Sequence, residues 1–236
     1  MGRAFEYRKE KKFKRWGAMA KAFTRIGKEI AISVKLGGPS PETNSRLRQA
    51  IMNAKGANMP KANVDAAIKK ASNKDTANYE EVTYEGYAPH GVALVVDTQT
   101  DNTTRTVSNL RVHFNKLGGT MGTMGAVEYM FKKKAVFKFN KGKLNLEELE
   151  FELIDHGLTD IQSDEEVVIA TGEFVDYGRL HKAIEDKGIE ITESTYDKIP
   201  DFYKEGLTDE EADDVIKLIE RLEEDDDVSM VFHNMK

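Results

Sequence analysis

Cations set among aromatic rings are the residues of this chain whose types and spacing point to chemistry, and that chemistry is the holding of phosphate. The opening stretch MGRAFEYRKEKKFKRW places Arg8, Lys9, Lys11, Lys12, Lys14 and Arg15 among Phe5, Tyr7, Phe13 and Trp16. Lys and Arg displace the counterions condensed on a sugar–phosphate chain, and aromatic rings stack on bases. Further along, Lys21, Arg25, Lys28, Arg46, Arg48, Lys55, Lys61, Lys69 and Lys70 fall where the helical periodicity leaves positions for solvent or ligand. Together these are the candidate nucleic-acid contacts. Arg105, Arg111 and Lys116 could extend the basic surface, or simply solvate the outer face of a later helix.

The other constellations are weaker. His90, His113, His156, His181 and His233 form no helical i,i+4 pair and have no carboxylate at metal-site spacing, so no metal is expected. The carboxylate runs 209–214 and 223–227 read as a solvated helix face and its exit, not as an acid/base pair. GGTMGTMG at 118–125 follows a helix, opens a strand and lacks the Lys-Ser/Thr that reaches phosphate. It is therefore neither a phosphate loop nor a dinucleotide fingerprint, and reads as a mobile or close-packed loop. The absence of cysteine excludes disulfides, thiolate zinc sites and cysteine nucleophiles. The expectation is a non-enzyme with no catalytic residue, cofactor, metal or small-molecule substrate. A charged N-terminus without an apolar core, and no window of the ~20 apolar residues that a membrane span needs, read as a soluble cytoplasmic protein.

The elements that must position the cations come in three groups. Helices at 21–36, 43–55 and 60–72 form a small bundle, the second opened by Ser40 as N-cap before Pro41. Strands at 82–87 and 91–96, a polar turn at 97–102, a helix carrying Val107, Leu110, Phe114 and Leu117, and a return strand at 127–131 make a central sheet unit. From 135 to 196 the pattern is β-α-β-α-β with room for a further strand near 160–162, which fits a ferredoxin-like unit. A helix at 209–223, capped by Thr208, and a strand at 228–232 cannot stand alone and are assigned to the central unit. The reading is an α+β protein of three domains: a basic helical bundle with its arm (1–75), a discontinuous central domain (79–131 plus 205–236) and an inserted one (133–199), the last two ferredoxin-like. Charge follows this division: residues 1–75 hold 18 Lys and Arg against 6 Asp and Glu, and the remainder 17 against 35. One end is suited to a polyanion and the other is repelled by it, unless the acidic modules neutralise the basic one.

Three segments resemble the YebC family, which includes a mitochondrial translational activator of cytochrome c oxidase. They are GGPSPETNSRLRQAIMNAKGANMPKANVDAAIKKA at 37–71, YEGYAPHGVALVVDTQTDN at 84–102 followed by Arg105, Arg111 and the turn at 116–119, and GGTMGTMGAVEYMF at 118–131. The start departs from the family, where a His-Ser-Lys-Trp segment commonly stands in place of GRAFEYRKEKKFKRW. The resemblance implies a three-domain fold and a non-enzymatic cytoplasmic regulator. Bacterial members are described mostly as DNA-binding transcriptional regulators, and others act on translation at the ribosome. The partner is then DNA, or ribosomal or messenger RNA with the ribosome. No helix-turn-helix, RNA-recognition or zinc-finger signature is present, which favours reading of backbone and shape over base edges.

Overall fold

The computed structural model describes residues 19–73 and 78–236, with the backbone alone for residues 19–21. Arg8, Lys9, Lys11, Lys12, Lys14 and Arg15 lie outside the described residues, as do positions 74–77 of the polar joint. Helices α1 (Met19–Gly37), α2 (Ser45–Gly56) and α3 (Lys61–Ala71) share a core of Ile30, Val34, Leu47, Ala50, Ala54 and Val64. The cap of α2 is Asn44, not Ser40. Its side-chain oxygen accepts from Leu47 N–H at 3.0 Å, and its amide donates to the carbonyls of Ser33 at 2.7 Å and Gly38 at 2.8 Å. One amide thus opens a helix and ties the preceding turn to α1. A serine hydroxyl, with one donor, cannot make all three bonds.

The chain continues through β1 (Glu80–Tyr87), β2 (Ala93–Thr100), α4 (Thr103–Lys116), β3 (Thr120–Met121) and β4 (Phe131–Asn140). Then come α5 (Leu146–Ile154), β5 (Leu158–Ser163), β6 (Val167–Glu173), α6 (Tyr177–Asp186), β7 (Ile191–Pro200), α7 (Asp209–Glu223) and β8 (Val228–His233). The strands form two antiparallel sheets, β3-β1-β2-β8 and β5-β6-β4-β7. The second is a β-α-β-β-α-β unit whose first strand lies in the interior of the sheet, a ferredoxin-like layout. The first sheet has the same spatial arrangement, but its interior strand β1 precedes β2 in the chain instead of following β3. Leu110 and Phe114 of α4 and Val215, Leu218, Ile219 and Leu222 of α7 cover Leu94 and Val96 of the first sheet. Leu149 and Leu153 of α5 and Leu180 and Ile184 of α6 cover Phe137, Phe139 and Val168 of the second.

Two expectations fail around β2 and the glycine loop. The strand does not stop at Val96: it runs to Thr100, and all eight of its residues are buried, polar ones included. The return strand at 127–131 is absent. Glu128–Met130 is a 3-10 turn, β1 is paired instead by Thr120 and Met121, and Phe131 opens β4 of the second sheet. The glycine loop is close-packed at its start, while residues 122–125 are exposed. A Cβ on Gly119 would come within 2.8 Å of both the Tyr87 carbonyl oxygen and Leu218 Cδ2. Among the described residues no helix is long and apolar enough to cross a membrane.

Candidate nucleic-acid interface

The helical block is held by charged groups, and this decides which of its cations face outward. Lys28 does not: it is 9% exposed. Its ammonium donates to Asp227 Oδ1 at 3.1 Å and to the carbonyls of Gln99 at 2.9 Å and Asp226 at 2.6 Å. Asp227 Oδ2 also accepts from Arg105 Nη2 at 2.8 Å, Thr106 Oγ1 at 2.9 Å and Thr100 Oγ1 at 3.2 Å. The sequence reading of Lys28 as a solvent or phosphate contact is therefore corrected. An ammonium has three donors, and all three are used where α1 crosses the end of β2. Arg46 is half-buried and also turned inward, donating to Glu29 at 2.7 Å and to Glu81 at 2.6 Å. Burial works against its charge, but the hydrogen bonds to Glu29 and Glu81 outweigh it and hold its pKa above the ordinary arginine value.

A second set of contacts joins the block to the second sheet. Gln49 and Asn53, one turn apart on α2, both donate to the Ser194 carbonyl at 2.9 Å, and Ser194 N–H donates back to Asn53. Lys55 pairs with Glu190 at 2.6 Å. A third set joins the sheets. Asp97 of β2 accepts from Thr83 at 2.7 Å, Tyr196 at 2.7 Å and Lys198 at 2.9 Å, and Lys198 also reaches Glu128 at 2.8 Å. Each of the three units thus grips the other two. Between them lies a cavity of about 700 Å³ bordered by Arg25 and Arg46 from the block and by Lys133 and Lys138 from β4. Lys133 stands 4.2 Å from the centre of the Phe174 ring and 4.0 Å from that of Tyr196, a cation–π sandwich. Burial lowers its pKa. It raises that of Tyr177, which borders the same cavity, to about 12.

The closeness of α2 to β7 gives a test of this ring. In an isolated helix Gly→Ala stabilises by roughly 0.5–1 kcal/mol. A Cβ on Gly56, however, would stand 1.7 Å from the Thr192 carbonyl oxygen. Gly56→Ala is therefore expected to lift the last turn of α2 off β7 and to destabilise by about 1–3 kcal/mol in urea. Hydrogen-exchange protection should fall at Ser194. An unchanged or raised midpoint would contradict the packing.

What remains outward is a smaller set than the sequence suggests. Arg48 is exposed and donates to the Pro41 carbonyl at 2.8 Å, and Lys61, Lys69 and Lys70 are exposed on α3. Arg48 and Lys55 lie seven residues apart on one line of α2, and Lys61 and Lys69 lie two turns apart on α3 with Asp65 between them. Lys21 lies on α1, and nothing is described beyond its backbone. Arg105, Lys133 and Lys198 are functional neighbours that the sequence reading missed or left as solvated. Their partners Asp227, Tyr196 and Asp97 are 63 to 122 positions away in the chain, and no local pattern signals them; only the pair of Arg105 with Asp101 is local.

Fold and surface define a class: a basic helical block docked on two antiparallel α+β units that carry the acidic surplus. Family comparison places the chain within that class. Residues 3–74 match the model described as the TACO1/YebC protein N-terminal domain, and residues 79–235 match that of the TACO1/YebC second and third domain. A protein of Flavobacterium johnsoniae is 56% identical over 236 residues, covering 100% of this chain and 99% of that one. One of Myxococcus xanthus is 50% identical over 240 residues, covering 100% of both. Each is named "Probable transcriptional regulatory protein". The crystal structure of a conserved hypothetical protein from Aquifex aeolicus superposes with a TM-score of 0.83 at 39% identity, over 92% of this chain and 90% of that one. The chain belongs to the TACO1/YebC family.

Proposed function

We propose that the protein is a cytoplasmic, non-enzymatic regulator of transcription that holds nucleic acid by its phosphates, through the outward cations of the helical block together with the basic arm. The observation that carries this reading is the set Arg48, Lys61 and Lys69. These cations stay at the surface of a block whose Lys28, Arg46 and Lys55 are already bonded to carboxylates of the same molecule. The names of the relatives support transcription as the process. The acidic units repel the polyanion and so orient the block toward it.

Binding should weaken steeply with salt. If about six phosphates are neutralised, affinity falls roughly a thousandfold between 50 and 200 mM. Lys61→Ala with Lys69→Ala should lower the slope of log affinity against log salt by about 2 on duplex DNA. A slope unchanged in the double variant removes α3 from the interface. Preference for ribosomal RNA over a promoter fragment, in the same titration, would transfer the reading to translation. Failure of both nucleic acids to bind at low salt would end it.

A further inference from the structure

Helix α5 buries one apolar face in the fold and carries two further large apolar side chains outside it. Leu149 and Leu153 are buried in the core of the second sheet, while Phe151 and Ile154 are 79% and 55% exposed. Glu147, Glu150, Phe151 and Ile154 follow the i, i+3, i+4, i+7 spacing of a single helical stripe. Val175, 91% exposed, stands in the turn after β6. That turn folds against the end of α5: Glu173 N–H donates to the Gly157 carbonyl at 2.9 Å, and a Cβ on Gly157 would come 2.5 Å from Asp176 Cβ. Phe151, Ile154 and Val175 therefore belong to one end of the same helical layer. Isolated exposed apolar residues are ordinary, but a group of them rimmed by charge marks an interaction site.

The rim is acidic. Glu147, Glu148, Glu150 and Asp155 are exposed on α5 or directly after it, while Glu173, which flanks Val175, is paired with Lys134. The neighbouring cations Arg179 and Lys187 are already paired, with Asp176 and Glu152. Such a rim repels nucleic acid, an anionic membrane surface and the same acidic face of a second copy, and attracts a cationic segment.

We infer that this face of α5 docks a protein partner through a segment that carries lysine or arginine around an apolar anchor. The inference is independent of the phosphate contacts on the helical block.

The test has two arms, both on the full chain. In the first, p-benzoylphenylalanine replaces Phe151 and is photo-activated in the native cells. Adducts should map to protein segments with Lys or Arg beside an apolar residue, and their yield should drop about tenfold or more when Glu147→Lys and Glu150→Lys are added. Adducts to nucleic acid or to a second copy, or none above an exposed control site, would overturn the inference. In the second, an amphipathic Lys/Leu helical peptide is titrated by fluorescence anisotropy against its Glu/Leu counterpart. The Lys/Leu probe should bind and should lose about tenfold or more in affinity with Phe151→Ser. Equal binding by that variant and by Ile154→Ser, which reads the same face through another side chain, would also overturn it. Nucleic-acid binding should be unchanged in each, which separates this failure from that of the proposed function.

Discussion

Replacing Asp227 by alanine is expected to cost about 3–5 kcal/mol of folding stability, because it leaves the buried ammonium of Lys28 without its counter-charge. Asp227 lies in the turn that leads into β8, yet it receives hydrogen bonds from Lys28 of α1, Arg105 and Thr106 of α4 and Thr100 of β2. The acid therefore joins the helical block to the first sheet. Removing it also strips the two buried threonine hydroxyls of an acceptor. Because a buried pair is much more costly to break than to replace, Lys28→Met with Asp227→Leu should recover most of the loss. Burial raises the pKa of Asp227, but the bonds from Arg105, Thr106 and Lys28 outweigh it and hold the carboxyl below its ordinary range. A depressed folded pKa contributes stability that is present above the unfolded value of about 4 and is lost as pH falls below it. The wild type should lose this contribution below about pH 4, and Asp227→Ala should show a flatter acid limb there. Urea midpoints across pH measure both effects. A loss of under about 1 kcal/mol at neutral pH, the worth of a surface pair, would mean that Lys28 escapes to solvent and that the junction is not a buried one.

What was legible in the sequence was local. The 3.6-residue recurrence of Leu110 and Phe114 places α4 and its inward face, and Thr208 marks the start of α7, where the structure adds Glu211 to complete a capping box. Alternation and glycine stops give a β-α-β-α-β run for the second sheet with room near 160–162, where the structure places β5. What was not legible depends on residues far apart. Lys28 occupies a polar slot of an amphipathic helix, and periodicity cannot say whether such a slot meets water or the end of another unit. Asp97 to Thr100 have the composition of a turn. They are strand residues because Thr83, Tyr196, Lys198 and Asp227 supply the bonds that let their polar groups stay buried. The same kind of interaction thinned the proposed interface: Arg46 was read as an outward cation and found the carboxylates Glu29 and Glu81, whereas Lys55 stays exposed while pairing at the surface with Glu190.

The return strand expected at 127–131 is missing for a reason that can itself be tested. Glu85 of β1 is 3% exposed, and its carboxylate accepts from the backbone N–H of Gly125 at 2.5 Å, Val127 at 2.6 Å and Glu128 at 2.7 Å. Those are the amides a strand would have offered to a neighbour, so the carboxylate turns the glycine loop into a fixed hook. Burial raises the Glu85 pKa, but the three amides and the nearby Lys198 outweigh it and hold the group in its charged form, below its ordinary value. Glu85→Ala removes the acceptor of all three donors. With roughly 1–3 kcal/mol for each buried donor left unsatisfied, and the two less buried ones reachable by water, the loss should be about 3 kcal/mol. Glu85→Gln should lose less. Its remaining oxygen can serve Val127 and Glu128, which share one carboxylate oxygen, while its amide nitrogen faces the Gly125 N–H, donor against donor. Hydrogen exchange should locate the damage, with protection falling at Val127 and Glu128 before it falls in α4 or α7. Glu128 also holds Lys198, so a loosened hook should slacken the contact between the two sheets as well. An alanine variant with wild-type stability and intact protection at Val127 would show that the loop is shaped by its glycines alone.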